Sequence, residues 1–68
     1  MYIEFHDLFG NLVVVNFTAV FVISKNPDAE GSVLTFSGGT VTEVKETPEE
    51  IMRSVKTFVM QSQLRGGH

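Results

Sequence analysis

Between Leu12 and Ile23 the chain reads Leu-Val-Val-Val-Asn-Phe-Thr-Ala-Val-Phe-Val-Ile, and almost no position is left free to face water. A half-exposed strand alternates apolar and polar residues; this run does not. We read it as two short strands joined at Asn16 to Thr18, with more apolar surface than one helix on one face of a sheet can cover. Before it, Tyr2 to His6 alternates around Ile3 and Phe5 and predicts a first strand. A two-residue hairpin loop at Phe9-Gly10 or Gly10-Asn11 would place Ile3 and Phe5 on one face with Leu12 and Val14. Tyr2, Glu4 and His6 would then share the other face with Val13 and Val15; a three-residue loop would invert the assignment.

Ala19 to Ser24 is expected as the third strand, with Phe21 and Ile23 inside and Val20 and Val22 outside. Pro27 and Gly31 mark a polar loop from Lys25 to Gly31. Ser32 to Ser37 predicts a fourth strand, with Leu34 and Phe36 inward and Val33 and Thr35 outward. Gly38-Gly39 turns the chain into a fifth, Thr40 to Glu46, where the differing parity of Val41 and Val44 predicts a bulge near Thr42 or a mixed edge. Glu43, Lys45 and Glu46 suit an edge that must not pair with other chains.

Thr47-Pro48-Glu49-Glu50 is the clearest local signal: an N-cap, a proline at the first helical position and a glutamate closing a capping box. Ile51, Val55, Phe58 and Val59 follow at helical spacing, flanked by Met52 and Met60, and predict an apolar stripe lying on the sheet. The expected fold is α+β: a small antiparallel meander of four to five short strands within 2–46, closed by one C-terminal helix over about 48–63. The tail 64–68 is expected to fray, and residues 1–68 are expected to form a single small domain.

Sixty-eight residues bury little; a chain of this size hides only roughly 60% of the surface its unfolded form exposes. Cysteine is absent, so no disulfide or thiolate site can staple the fold, and oligomerisation is the remaining means. The net charge is −3 and the five Lys and Arg are scattered, which disfavours nucleic acid as a partner. No apolar run approaches the ~20 residues of a membrane helix, and Met1-Tyr2-Ile3-Glu4 lacks a secretory pattern. A cytoplasmic location without membrane insertion is expected.

Candidate chemistry is thin. Glu4, His6 and Asp7 could suggest metal ligation or acid–base work, but zinc needs three or four convergent ligands and spacing supplies no partner. The serines lack a nucleophile elbow, and the glycines lack the strand, glycine loop and helix order that cradles phosphate. No catalytic residue, metal or cofactor is expected. The glutamates at 43, 46, 49 and 50 are read as a solvated helix start rather than a mimic of nucleic acid. Asn16-Phe17-Thr18 fits a glycosylation acceptor without a secretory context, and Leu64-Arg65-Gly66-Gly67 is read as a chance likeness to a conjugation tail. The strongest feature is the set Tyr2, Val13, Val15, Val20, Val22 and Val33, which on one face would form an apolar association patch. A homo-oligomer or a protein partner is expected there, with Phe9 at the hairpin tip as a second contact.

Leu8-Phe9-Gly10-Asn11, then Asn16, Val20 and Ile23, then Asn26-Pro27-Asp28, Leu34-Thr35-Phe36-Ser37-Gly38-Gly39 and Val44-Lys45-Glu46-Thr47-Pro48-Glu49-Glu50 together resemble the FlbD/SwrD family, small bacterial proteins of flagellar gene clusters. The likeness covers about residues 1–55; the family's usual Asn-Gly turn is here Phe9-Gly10. The resemblance implies a non-enzymatic cytoplasmic accessory of flagellar or swarming motility, acting through protein contacts. The alternative is a small bacteriophage product that inhibits a host protein or sequesters a small signalling molecule. Neighbouring genes of the motor or of the virion would separate the two.

Overall fold

The computed structural model describes the backbone of residues 1–66 and the side chains of residues 1–61. Strands β1 (Tyr2–His6) and β2 (Leu12–Asn16) form an antiparallel hairpin. A 3-10 turn, Phe17–Ala19, is capped by the Asn16 side chain, which accepts from the Thr18 N–H. It turns the chain into β3 (Val20–Lys25), which pairs with β4 (Ser32–Phe36), itself paired with β5 (Val41–Val44). Helix α1 (Pro48–Gly66) closes the chain. The fold is therefore α+β as expected, with five short antiparallel strands and one C-terminal helix, but the strands divide into a two-stranded and a three-stranded sheet.

The facing of the first hairpin is the reverse of the two-residue-loop expectation. Ile3 lies opposite Val15 and Phe5 opposite Val13, so Val13 and Val15 face inward while Leu12 and Val14 face out. The loop is the cause. Asp7 N–H donates to the Asn11 carbonyl and Gly10 N–H to the Asp7 carbonyl, leaving a three-residue loop, Leu8-Phe9-Gly10, with Gly10 at φ +88°. A left-handed residue closing such a loop is the usual role of glycine. The Asp7 carboxylate fixes this choice by accepting from the N–H groups of Phe9 and Asn11 at 2.9 Å each. The β4–β5 hairpin repeats the pattern, with Gly39 at φ +89° donating to the Phe36 carbonyl, so its loop is Ser37-Gly38-Gly39 rather than Gly38-Gly39 alone.

Strand β3 carries a second correction. Its register against β4 shifts between Val20 and Val22, so the bulge lies at Phe21 and not near Thr42, and β5 pairs with β4 in unbroken register. The extra residue turns Val20 and Ile23 toward the core together and pushes Phe21 outside, where it is 77% exposed. A bulge changes side-chain parity within a strand, which is why strict alternation misplaced both Phe21 and Val20.

The core joins Ile3, Phe5 and Val15 of the hairpin, Leu34 and Val44 of the second sheet and Ile51 of the helix, ringed by Val13, Phe17, Val20, Ile23, Phe36 and Val55. The capping box forms as read: Thr47 N–H donates to Glu50 Oε1 at 2.9 Å and Glu50 N–H to Thr47 Oγ1 at 3.2 Å. The apolar stripe only half meets its expectation. Ile51 is buried and Val55 partly so, whereas Met52, Phe58, Val59 and Met60 are exposed. The helix runs to Gly66, past its predicted end, and the part of the expected frayed tail at residues 67–68 lies outside the described residues.

Candidate functional site

The predicted association residues do not share one face. Val15 is 4% exposed and belongs to the core, with Val13 and Val20 packed against it. Val33 is half-buried, while Tyr2 and Val22 are exposed. Phe9 stands 91% exposed at the tip of the first hairpin, where the Asp7 bonds hold the loop that presents it. The reversed facing adds two residues that alternation had placed inside: Leu12 at 58% and Val14 at 57% exposure. The loop chemistry could have revealed them, because Asp7 and Asn11 flanking Leu8-Phe9-Gly10 are the residues that favour an Asx-type turn with a left-handed glycine. Phe21 had no such signal, since Val20 to Ile23 are uniformly apolar.

Two sets of exposed apolar side chains therefore stand on the sheets: Tyr2, Leu12 and Val14 on the outer side of the hairpin, and Phe21 and Val22 on β3. A third set, Met52, Phe58, Val59 and Met60, stands on α1. The 19-residue helix is about 28 Å long at 1.5 Å per residue, whereas a five-residue strand spans only about 17 Å. The described chain is correspondingly elongated, 45 × 24 × 19 Å.

The polar constellation nearest to a site lies where β1 meets the end of β5. His6 Nδ1 lies 2.8 Å from Glu46 Oε2, the His6 N–H donates to Glu46 Oε1 at 3.0 Å, and the Lys45 N–H donates to the His6 carbonyl at 2.7 Å. Burial acts to raise the Glu46 carboxyl, but the bonds from the His6 N–H and imidazole outweigh it and hold the group below the usual glutamate range. Asp7 is also held low, first by the Asn11 N–H; desolvation acts next and in the opposite direction, and the Asn11 side chain and the Phe9 and Gly10 N–H groups add to the lowering. An open cleft of about 450 Å³ lies here, lined by His6, Gly10, Glu30, Lys45, Glu46, Thr47 and Glu50. Glu46 is engaged by His6 and Glu50 by the helix cap, so the arrangement ties the two sheets and the helix start together. Among the described residues no group of three His, Asp or Glu side chains converges as a metal site would require; Asp7 instead spends its oxygens on the hairpin loop.

Buried polar groups reinforce the same end of the molecule. Asn26 donates to Glu43 Oε1 at 2.8 Å and accepts from the Asp28 N–H at 3.0 Å, and Ser32 donates to the Glu46 carbonyl at 2.8 Å. These residues fix the β3–β4 loop beneath the start of α1. The fold and its exterior define a small α+β protein whose most distinctive surface is apolar. No protein-family model, no curated protein and no solved structure matches the chain.

Proposed function

We propose that this chain is a non-catalytic protein-interaction module of the cytoplasm that self-associates or docks a protein partner through its apolar exterior. The observation that carries the reading is the outward placement of Tyr2, Leu12, Val14, Phe21 and Val22 on strands that also build the core. Large apolar side chains clustered on the surface of a small domain mark association sites, and a chain this short without cysteine gains most from a neighbour that covers them. Phe9, projecting from a rigid hairpin tip, supplies a separate aromatic anchor of the kind that fills a partner's pocket. The resemblance of residues 1–55 to the FlbD/SwrD family supports placing this activity in flagellar or swarming motility.

The test is sedimentation equilibrium over ten to several hundred micromolar, with Phe21→Ser/Val22→Ser and Leu12→Ser/Val14→Ser as two separate variants. The native chain is expected to sediment above the 7.5 kDa of one copy, and at least one variant to reduce that mass while keeping its circular dichroism. A native chain that stays monomeric throughout, together with motility unaffected by deletion of its gene in the source organism, would overturn the reading.

A further inference from the structure

The strand edges of this protein are guarded unequally. Hydrogen bonds at both ends of the first hairpin, Asp7 N–H to the Asn11 carbonyl and Phe17 N–H to the Met1 carbonyl, fix which backbone groups point where. Counting by twos from those pairs, Phe5 with Val13 and Ile3 with Val15 bond across the hairpin, because bonded and non-bonded pairs alternate along an antiparallel ladder. The N–H and C=O groups of Leu12 and Val14 and the N–H of Asn16 therefore point away from β1, and no strand among the described residues pairs with them. The Asn16 carbonyl is taken up as the cap of the 3-10 turn.

The other free edges carry the devices that discourage strand addition. The outer side of β3 is broken by the Phe21 bulge and ends in Lys25. The outer side of β5 bears Glu43 and is followed by Lys45, whose N–H is taken by the His6 carbonyl. The outer side of β1 bears Glu4 and ends in the same His6 clasp. Strand β2, Leu-Val-Val-Val-Asn, has no charge, no proline and no bulge.

We propose that the open edge of β2 pairs antiparallel with β2 of a second copy about a two-fold axis at Val14, making one continuous four-stranded sheet. The proposal names the partner for the association reading above and rests on it. The edge is self-complementary: Val14 exchanges both outward groups with Val14 of the second copy, and at each end the Asn16 N–H donates to the Leu12 carbonyl of the other copy. A symmetric dimer requires such a self-matching patch. Charge does not oppose it, although each copy carries −3. The nearest charged side chains on that sheet, the two Glu4, would stand three strand spacings apart, about 14 Å, beyond the ~8 Å over which exposed charges interact at physiological salt.

The decisive experiment uses the absence of cysteine. Val14→Cys places two thiols on directly opposed residues about 5.5 Å apart between Cα atoms, within disulfide reach. Leu12→Cys places them about 14 Å apart, four residues along the strand and one strand spacing across. Under mild oxidation Val14→Cys is expected to cross-link at least tenfold faster than Leu12→Cys. In parallel, Leu12→Lys and Val14→Pro are expected to weaken dimerisation at least tenfold in sedimentation equilibrium. Neither disturbs a bond between β1 and β2, and should the proline variant lose its circular dichroism, Leu12→Lys decides. Equal cross-linking rates overturn the proposal. So does a dimer that Leu12→Lys leaves intact and Phe21→Ser/Val22→Ser dissociates, a result that would leave the association reading standing. A native chain that is monomeric at several hundred micromolar overturns the proposal and leaves docking of a different protein as the form of the association reading still standing.

Discussion

The two ends of this molecule are built to different standards. At one end the β3–β4 loop, the end of β5 and the first turn of α1 converge on Gly31, Ser32, Val44, Glu46, Thr47 and Ile51. There the side chains are buried or bonded and Asn26 and Ser32 find partners. Away from that cluster α1 runs past the sheets with Phe58, Val59 and Met60 exposed, and the outer edge of β2 is apolar and unpaired among the described residues. The same stripe of residues serves both ends of the helix, so the difference lies in what the sheets can reach. An amphipathic pattern specifies which side of a helix is apolar, and the length of the opposing layer decides how much of that side is covered.

The largest expected effect comes from breaking the tight end at its narrowest point. Gly31 has φ +110°, and an added Cβ would overlap the carbonyl oxygens of Val44 and Lys45. These are backbone atoms held by the β4–β5 ladder and by the Lys45–His6 bond, so they cannot step aside. A domain of this length has a total stability of about 3–10 kcal/mol. Gly31→Ala is expected to remove about 3 kcal/mol or more, through left-handed strain and overlap combined, and to leave the chain largely unfolded by circular dichroism at 25 °C. Gly10 and Gly39, equally left-handed but with open space at the Cβ position, should tolerate alanine at about 1 kcal/mol each, the cost of strain alone.

A smaller effect separates the two halves of α1 directly. Ile51→Ala opens a cavity where Ile3, Phe5, Leu34 and Val44 meet and should lower stability by about 2–5 kcal/mol in urea unfolding. Phe58→Ala removes a larger side chain, yet Phe58 is already 38% exposed, and the loss is expected to stay near 1 kcal/mol. Equal losses at the two positions would mean that the overhanging half of the helix is covered in solution, by a second copy or by a closer approach to the sheets.

This contrast was only partly legible in the residues. Thr47, Pro48 and Glu50 announced the helix start because capping is local chemistry, complete within four residues. The two glycine-closed hairpins were legible for the same reason, whereas the order of strands, and their division into two sheets, was not. Facing depends on loop length counted to a single residue: Gly10 alone is compatible with two residues or three, and only the flanking Asp7 and Asn11, with Asp7 bonding to both Phe9 and Asn11, select three. The outward turn of Phe21 depends on a register shift between β3 and β4 that no residue of β3 encodes by itself. The candidate surface changed with these two facts: Val13, Val15 and Val20 went to the core, and Leu12, Val14 and Phe21 replaced them outside.

The smallest expected effect tests whether the His6–Glu46 clasp contributes to the tight end. Glu46 and Asp7 are both held below their ordinary carboxylate range in the folded chain. A carboxyl whose folded pKa is depressed adds stability above its unfolded value, and that contribution is lost as pH falls through the folded value. The native chain should therefore be steady from about pH 7 to 5 on account of these groups and lose stability below about pH 4.5. Glu46→Gln keeps an oxygen that accepts from the His6 N–H but removes the titrating charge. The variant is expected to be slightly less stable than the native chain at pH 6 and to show a shallower loss between pH 4.5 and 3, so that the two urea midpoints converge in acid. Asp7→Asn should flatten the remaining slope, while weakening the loop that sets the facing of β2. Parallel pH profiles for native and Glu46→Gln proteins would show that the clasp contributes nothing through its charge, leaving the Lys45–His6 backbone bond and the core as the links between the two sheets.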